Sequence, residues 1–211
     1  MLKNRPDNYE EKQLTNFGYK FIAGIDEVGR GTLAGPVLSA LVIFRKDFDS
    51  EWFPELDDSK RLTKNKRLDL FNLINSDALC VSVGSASNNE IDESGIISAT
   101  KLSMVRAIEN SEIIPDYLLI DAVELDSVDV PQKSIIKGDQ ISSSIAAASI
   151  IAKVTRDQIM VDFDKVYPEY GFGNHKGYGT KAHIDSINNY GITPLHRKSF
   201  EPVKSMIQES K

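Results

Sequence analysis

The chain has 211 residues and a mass of 23.5 kDa, with 41% hydrophobic and 27% charged residues. This fits one α/β domain that buries a core, and it excludes collagen-like, coiled-coil and disordered chains. A single cysteine excludes a disulfide framework, and no apolar run approaches the roughly 18–20 residues that span a bilayer. We therefore expect no membrane association and a cytoplasmic location, with Cys80 as a buried apolar residue.

The net charge of -6 argues against a protein that coats nucleic acid non-specifically, because such proteins are usually basic. The charge is uneven, however: residues 1–139 hold 16 Lys and Arg against 24 Asp and Glu, whereas residues 140–211 hold 9 against 7. All three histidines lie in the C-terminal third. This third is therefore the candidate surface for a polyanion.

Apolar periodicity and turn residues predict the elements in chain order. Strands are expected at 21–25, 35–44, 79–83, 117–120 and 134–136, and helices at 64–75, 96–110, 141–166 and 181–189. The arrangement predicts a mixed α/β sheet followed by a helical C-terminal part. We expect a polar segment at 1–20, one domain at 21–204 and a polar tail at 205–211, with residues 52 and 53 in an exposed loop.

Two adjacent acids, Asp26 and Glu27, follow the first apolar strand. Neighbouring carboxylates raise each other's pKa unless a cation is present, which favours a divalent metal. Because adjacent side chains of a regular strand point to opposite faces, the two could share a site only if the strand is irregular or ends there. The alternative is a strand end with solvated acids.

The segment Gly29-Arg30-Gly31 follows these acids. Its glycines would let backbone N–H groups approach a phosphate or sugar, with Arg30 adding charge. A plain hairpin turn is the alternative, and the segment does not complete a dinucleotide-binding fingerprint.

Two further acids, Asp121 and Asp139, also lie where apolar segments end. Turn residues, or for Asp139 a helix N-cap, are the alternatives. If a compact sheet brings these acids to one edge, a site rich in carboxylates and free of cysteine suits Mg²⁺ or Mn²⁺ and metal-assisted phosphoryl hydrolysis.

Five sequence blocks together resemble bacterial ribonuclease HII: residues 23–37, 58–62, 137–157, 175–180 and 194–200. The resemblance runs in order from about residue 21 to residue 204. It implies a ribonuclease H-like fold, with a central mixed sheet, flanking helices and a C-terminal helical extension.

The resemblance also implies an endonuclease that cuts the RNA strand of RNA–DNA hybrids and cuts 5′ to ribonucleotides embedded in duplex DNA, in ribonucleotide removal and RNA primer processing. It assigns two Mg²⁺ or Mn²⁺ ions to Asp26, Glu27, Asp121 and Asp139, for an in-line attack of water that leaves 5′-phosphate and 3′-hydroxyl ends. It further implies that residues 29–31 sense the 2′-hydroxyl, that Tyr178 stacks on the adjoining deoxyribose and that Lys60 meets the phosphate backbone. We expect a monomer.

Two positions depart from the family pattern. Thr32 stands where proline or another small residue is common, and we expect little effect because only its backbone continues the turn. Ala122 replaces a common glycine after Asp121, so that turn is expected to differ in shape. A non-catalytic hybrid-binding module and a type 1 ribonuclease H remain the alternative functions.

The C-terminal basic residues leave several roles open. Lys176, Lys181, Arg197 and Lys198 could meet phosphates or form a solvated face. His183 and His196 could serve as packing residues, helix-terminal residues or substrate contacts.

Overall fold

The computed structural model describes residues 5–46, 48 and 50–209. Residues 1–4 of the predicted polar segment and residues 210 and 211 of the predicted tail lie outside the described residues. Five strands form one mixed sheet: β1 (Ile22–Val28), β2 (Val37–Ile43), β3 (Cys80–Ala86), β4 (Tyr117–Asp121) and β5 (Gln132–Ile135). The strand order is β3-β2-β1-β4-β5, with β1 antiparallel to β2 and parallel to β4.

Seven α-helices surround the sheet within the described residues: α1 (Tyr9–Asn16), α2 (Lys64–Asp77), α3 (Asn88–Glu109), α4 (Ser143–Val166), α5 (Phe172–His175), α6 (Lys181–Tyr190) and α7 (Val203–Glu209). The predicted mixed sheet and helical C-terminal part are confirmed. Helix α7 crosses the predicted boundary between the domain and its polar tail.

The third helix begins earlier than the sequence predicts. Ser87 and Glu90 form a capping box that starts α3 at Asn88, eight residues before the predicted start at 96. Gly95, with φ of 80°, interrupts the helical conformation. The apolar pattern therefore predicts only the stretch after this break.

Helices cover both faces of the sheet. On one face, a Cβ at Gly24 would lie 2.1 Å from the backbone carbon of Ser144, so only glycine permits β1 to meet α4 this closely. On the other face, a Cβ at Gly84 would lie 2.3 Å from the amide of Ala107 in α3. The alternating residues of β1 and β2 fill the two cores between sheet and helices.

The expectation that residues 52 and 53 lie in an exposed loop is wrong. Trp52 and Phe53 are buried against Phe44 and Phe48, and the Trp52 indole donates a hydrogen bond to Asp77 over 2.8 Å. Because the aromatic residues alternate with charged ones along the chain, local polarity predicts an exposed loop here and not a buried cluster. Cys80 is buried as predicted.

The N-terminal segment is joined to the start of α4. The amide of Asp7 donates to the carbonyl of Ile141 over 3.0 Å, and Glu11 accepts hydrogen bonds from Ser142 and Ser144. Among the described residues, no helix combines the length and apolar character needed to cross a bilayer.

Candidate active site

Three of the predicted acids meet at the end of the central strand. One carboxylate oxygen from each of Asp26, Glu27 and Asp121 lies within 4.8 Å of the others. Of the two conditions expected from the sequence, the strand does end here, at Val28, directly after the two acids. It is not irregular, because Asp26 pairs with Ala40 and Glu27 with Ser39. The registered pairing of β1 with β4 stops at Ile25, so β1 continues beside an open edge where these side chains converge.

The cluster concentrates three carboxylates in a partly buried space, where Arg30 is the one cation paired with them among the described residues. Burial, followed by the charges of Glu27 and Asp121, raises the pKa of Asp26 well above its ordinary value. Burial also raises the pKa of Glu27, although Arg30, whose Nη1 lies 3.2 Å from Oε1, opposes the change. Glu27 Oε2 is buried and has no hydrogen-bond partner among the described residues. An oxygen-rich site of this kind fits a divalent cation.

The turn after Asp121 is left-handed although it carries alanine and not glycine. Ala122 adopts φ of 51°, in the left-handed region that glycine occupies without a Cβ penalty. Its amide donates to the carbonyl of Ile135 over 3.1 Å, which ties the turn to β5. Alanine therefore places a modest strain at this position, and the difference in shape from a glycine-containing turn stays a prediction.

Asp139 lies beside the three acids but outside their close group. It occupies a 3₁₀ turn, Gly138–Gln140, and is not the N-cap of α4, because Ser142 holds that position. The amide of Gly138 donates to Asp121 Oδ1 over 2.7 Å. Burial, then the charges of Asp58 and Asp121, raises the pKa of Asp139 to about 6. The fourth predicted acid is therefore electrostatically linked to the cluster through Asp121.

The loop at residues 29–31, here called the glycine loop, is hydrogen-bonded to a buried arginine. Arg197 is fully buried and donates from Nη2 to the carbonyl of Gly29 over 2.7 Å and from Nη1 to that of Arg30 over 2.9 Å. Its possible role as a phosphate contact is therefore wrong. The two carbonyls are thus hydrogen-bonded, whereas the N–H groups of Arg30 and Gly31 have no acceptor among the described residues.

A second buried arginine connects the glycine loop to Thr32. Arg156 Nη2 donates to the Thr32 hydroxyl over 2.9 Å, and the same hydroxyl lies 3.1 Å from the carbonyls of Gly29 and Ala34. Thr32 is fully buried. The expectation that only its backbone matters is therefore wrong, because its side chain is the hydrogen-bond acceptor for a buried guanidinium.

The predicted substrate residues share a cleft with two of the acids. This cleft of about 620 Å³ is lined by Asp26, Glu27, the glycine loop, Lys60 and Tyr178. Lys153, also in the lining, lies with its Nζ 5.9 Å from the centre of the Tyr178 ring. A larger cavity of about 810 Å³ surrounds α1 and contains none of the predicted site residues. The converging carboxylates, and not size, therefore identify the smaller cleft.

Several residues of the site escape a reading of the sequence. Arg156 and Lys153 lie in α4, where their spacing from the acids carries no metal or nucleotide motif. Ser149 of the same helix lines the cleft and donates to Ser59 over 2.8 Å. The only sequence signal for these residues is their type. A basic residue in a helix of small residues that packs on a sheet needs a polar partner, which indicates a buried hydrogen-bonded site.

The fold and the site together define a ribonuclease H-like α/β protein with an acidic centre at the end of its central strand. The family model of ribonuclease HII matches residues 23–203. A ribonuclease HII from Desulfitobacterium hafniense (strain DSM 10664 / DCB-2) is 53% identical over 198 residues, covering 94% of this chain and 75% of the relative. The chain belongs to the ribonuclease HII family and is a ribonuclease H.

Solved structures agree with this fold. The ribonuclease H2 of Pyrococcus horikoshii OT3 has a TM-score of 0.75 and 25% identity, covering 90% of this chain and 98% of that one. Bst-RNase HIII, solved in complex with Mn²⁺, has a TM-score of 0.65 and 18% identity, covering 93% and 72% of the two chains.

Proposed function

We propose that this ribonuclease H cleaves the RNA strand of RNA–DNA hybrids and nicks duplex DNA on the 5′ side of an embedded ribonucleotide. The supporting observation is that three carboxylates within 4.8 Å of one another share their surroundings with the glycine loop and Tyr178. A phosphate could therefore reach the acids while the adjoining sugar contacts the loop.

The acids would hold two Mg²⁺ or Mn²⁺ ions, with Asp26, Glu27, Asp121 and Asp139 as ligands. The unpartnered Glu27 Oε2 and the raised pKa of Asp26 support a cation in this position, and Mn²⁺ is bound by the Bst-RNase HIII neighbour. When bound, such ions supply Lewis-acid stabilisation of the phosphate and of the attacking water. The water oxygen bonds to phosphorus as the bond to the 3′ oxygen breaks, which gives 5′-phosphate and 3′-hydroxyl ends.

Recognition of the ribose follows from the glycine loop. The free N–H groups of Arg30 and Gly31 are suited to donate to a 2′-hydroxyl, which is the group that distinguishes RNA from DNA. Tyr178 is 38% exposed, so its ring is accessible to the deoxyribose on the other side of the junction. Lys60 and Lys153 add positive charge for the phosphates of the duplex.

The activity we propose belongs to ribonucleotide removal and RNA primer processing. We further propose that the protein acts as a monomer in the cytoplasm. A modest affinity for duplexes follows from the small number of cations that line the cleft, and the affinity should fall as salt rises because those cations contact phosphates.

A duplex with one embedded ribonucleotide tests the substrate proposal. Nicking on its 5′ side in Mg²⁺ or Mn²⁺ is expected. Binding without nicking would instead support a non-catalytic module, and cleavage restricted to longer RNA tracts would support a type 1 ribonuclease H.

The substitution Asp26→Asn tests the metal proposal. We expect it to abolish cleavage and to leave hybrid binding largely intact. We also expect Mn²⁺ to raise the Tm of the wild type but not that of Asp26→Asn. The control is Asp126→Asn, since Asp126 is exposed and pairs with Lys101 outside the site. Cleavage by Asp26→Asn at a near wild-type rate would contradict the assignment.

A further inference from the structure

All three histidines of the chain lie in one cluster behind Tyr178. The rings of His175 and His183 stack with centroids 4.3 Å apart, and those of His183 and His196 lie 5.2 Å apart. His183 and His196 are fully buried. None of the catalytic chemistry proposed above uses these rings, yet His183 and His175 hydrogen-bond to the backbone of Tyr178 and of the preceding Gly177.

The hydrogen-bond partners fix the tautomers of the buried pair. His196 Nδ1 accepts from the amide of Thr193 over 2.9 Å, so the ring proton of His196 is on Nε2. That Nε2–H points at His183 Nε2, 3.1 Å away. His183 Nε2 is therefore bare, and its Nδ1–H donates to the carbonyl of Tyr178 over 3.0 Å.

His175 hydrogen-bonds to the peptide that precedes Tyr178. Its Nδ1 accepts from the amide of Gly177 over 3.1 Å, and its Nε2 lies 2.7 Å from the carbonyl of Tyr170, to which it donates. Each of the three rings thus uses both nitrogens while remaining neutral. Burial lowers the pKa of His183 and His196 to about 4, which agrees with neutral rings at physiological pH.

The Tyr178 segment is also joined to residues 33 and 34, which follow Thr32 and the glycine loop in the chain. Gly177 accepts through its carbonyl from the amide of Leu33 over 2.8 Å, and a Cβ at Gly177 would lie 2.5 Å from the carbonyl of Ala34. Residue 34 forms an isolated β-bridge with His196. Displacement of one ring of the histidine cluster would therefore shift the Tyr178 backbone relative to the glycine loop.

We propose that His183 and His196, supported by His175, are positioning residues that orient Tyr178 and so set the preference for an isolated ribonucleotide over a continuous RNA tract. The proposal rests on the role of Tyr178 proposed above. The neutral rings act through a directional chain of hydrogen bonds from Thr193 to the Tyr178 carbonyl and do not touch the substrate.

Ring ¹⁵N NMR of the metal-free wild type tests the chain directly, because the shift separates a protonated from a bare ring nitrogen. We expect protonated Nδ1 in His183 and protonated Nε2 in His175 and His196. Any other tautomer in the buried pair would overturn the proposal.

Kinetics test the consequence for selectivity. The measured quantity is the ratio of kcat/KM on the single-ribonucleotide duplex to kcat/KM on a long RNA tract, taken well below the Tm of each variant. His183→Phe keeps an aromatic ring without its nitrogens and is expected to lower the ratio at least about threefold, since small displacements of positioned groups carry large rate penalties. His183→Asn places an amide donor near the position of Nδ1 and should restore most of the ratio.

Two controls separate positioning from general destabilisation. Ile187→Ala in α6 removes a buried side chain that makes no hydrogen bond to the Tyr178 segment, and it should leave the ratio unchanged. In the Tyr178→Ala background, His183→Phe should lower the ratio no further, as expected when one residue acts through the other. An additive loss in that background, or an equal loss in Ile187→Ala, would contradict the proposal. Wild-type protein that fails to nick the single ribonucleotide would instead contradict the proposed function itself.

Discussion

The buried hydroxyl of Thr32 offers the sharpest test of how the glycine loop is held. Thr32→Val keeps the shape of the side chain but removes the acceptor of the Arg156 Nη2 bond at 2.9 Å. The carbonyls of Gly29 and Ala34, which lie near the hydroxyl, keep other donors in Arg197 and Arg156. The hydroxyl's own donated bond is also lost, but both carbonyls stay hydrogen-bonded, so the main energetic loss is the bond from the charged guanidinium.

Such a bond contributes about 2 kcal/mol, so the free energy of unfolding should fall by that amount. In a chain of this size, Tm should fall by about 6 °C. Thr32→Ser keeps the hydroxyl and loses one buried methyl, which costs about 1 kcal/mol. Urea denaturation with and without Mn²⁺ measures both variants, and cleavage of the single-ribonucleotide duplex should fall more for valine than for serine. A valine variant as stable and active as the wild type, or a serine variant impaired as much as valine, would refute the reasoning.

Three other perturbations have clear expected outcomes. Ala122→Gly relieves a left-handed φ and should raise the free energy of unfolding by about 1 kcal/mol in chemical denaturation; a loss of stability would mean that the turn is not strained. Gly29→Ala combines φ of 93° with a Cβ only 2.3 Å from a buried guanidinium nitrogen, so it should cost about 3 kcal/mol and abolish cleavage. The matched Gly31→Ala has open space around its Cβ and should keep the wild-type Tm, so a similar loss in both would argue against the clash. The pKa values of His183 and His196, both about 4 in the folded chain, lie below the unfolded value of about 6.5, so the unfolded state takes up more protons as pH falls. Stability present above pH 6.5 should therefore be lost towards pH 4, by about 2 kcal/mol for each histidine at pH 5, and the loss between pH 8 and 5 should be smaller in His183→Phe.

Local pattern predicts much of this molecule because its strands are short apolar runs bounded by acids and glycine. It also places Asp26 and Glu27 at a strand next to a glycine-rich turn. It does not predict that the strand remains regular through both acids, because that depends on where the neighbouring β4 stops. Spatial convergence at a sheet edge is a tertiary property.

Burial of side chains that stand among charged residues is the other feature that the sequence does not reveal. Arg197 stands among Lys and His residues and reads as part of a basic surface, yet it is fully buried beneath the glycine loop. Trp52 stands among acids and reads as a loop residue, yet it packs in an aromatic cluster. The partners of Arg197 lie more than 160 residues earlier in the chain, so its sequence neighbours mislead. The partners of Trp52 are the nearby Phe44, Phe48 and Phe53, and local polarity does not show that these rings pack together.

Helix α4 connects the two halves of the site over a fixed distance. Ser149, which lines the cleft, and Arg156, which holds Thr32, are seven residues apart and so lie on nearly the same face, about 10 Å apart along the axis. One inserted or deleted residue between them would turn Arg156 about 100° away from the loop. This stretch can therefore accept changes of side chain on its outer face while its length stays invariant, and length variation among functional relatives should be confined to the surface loops.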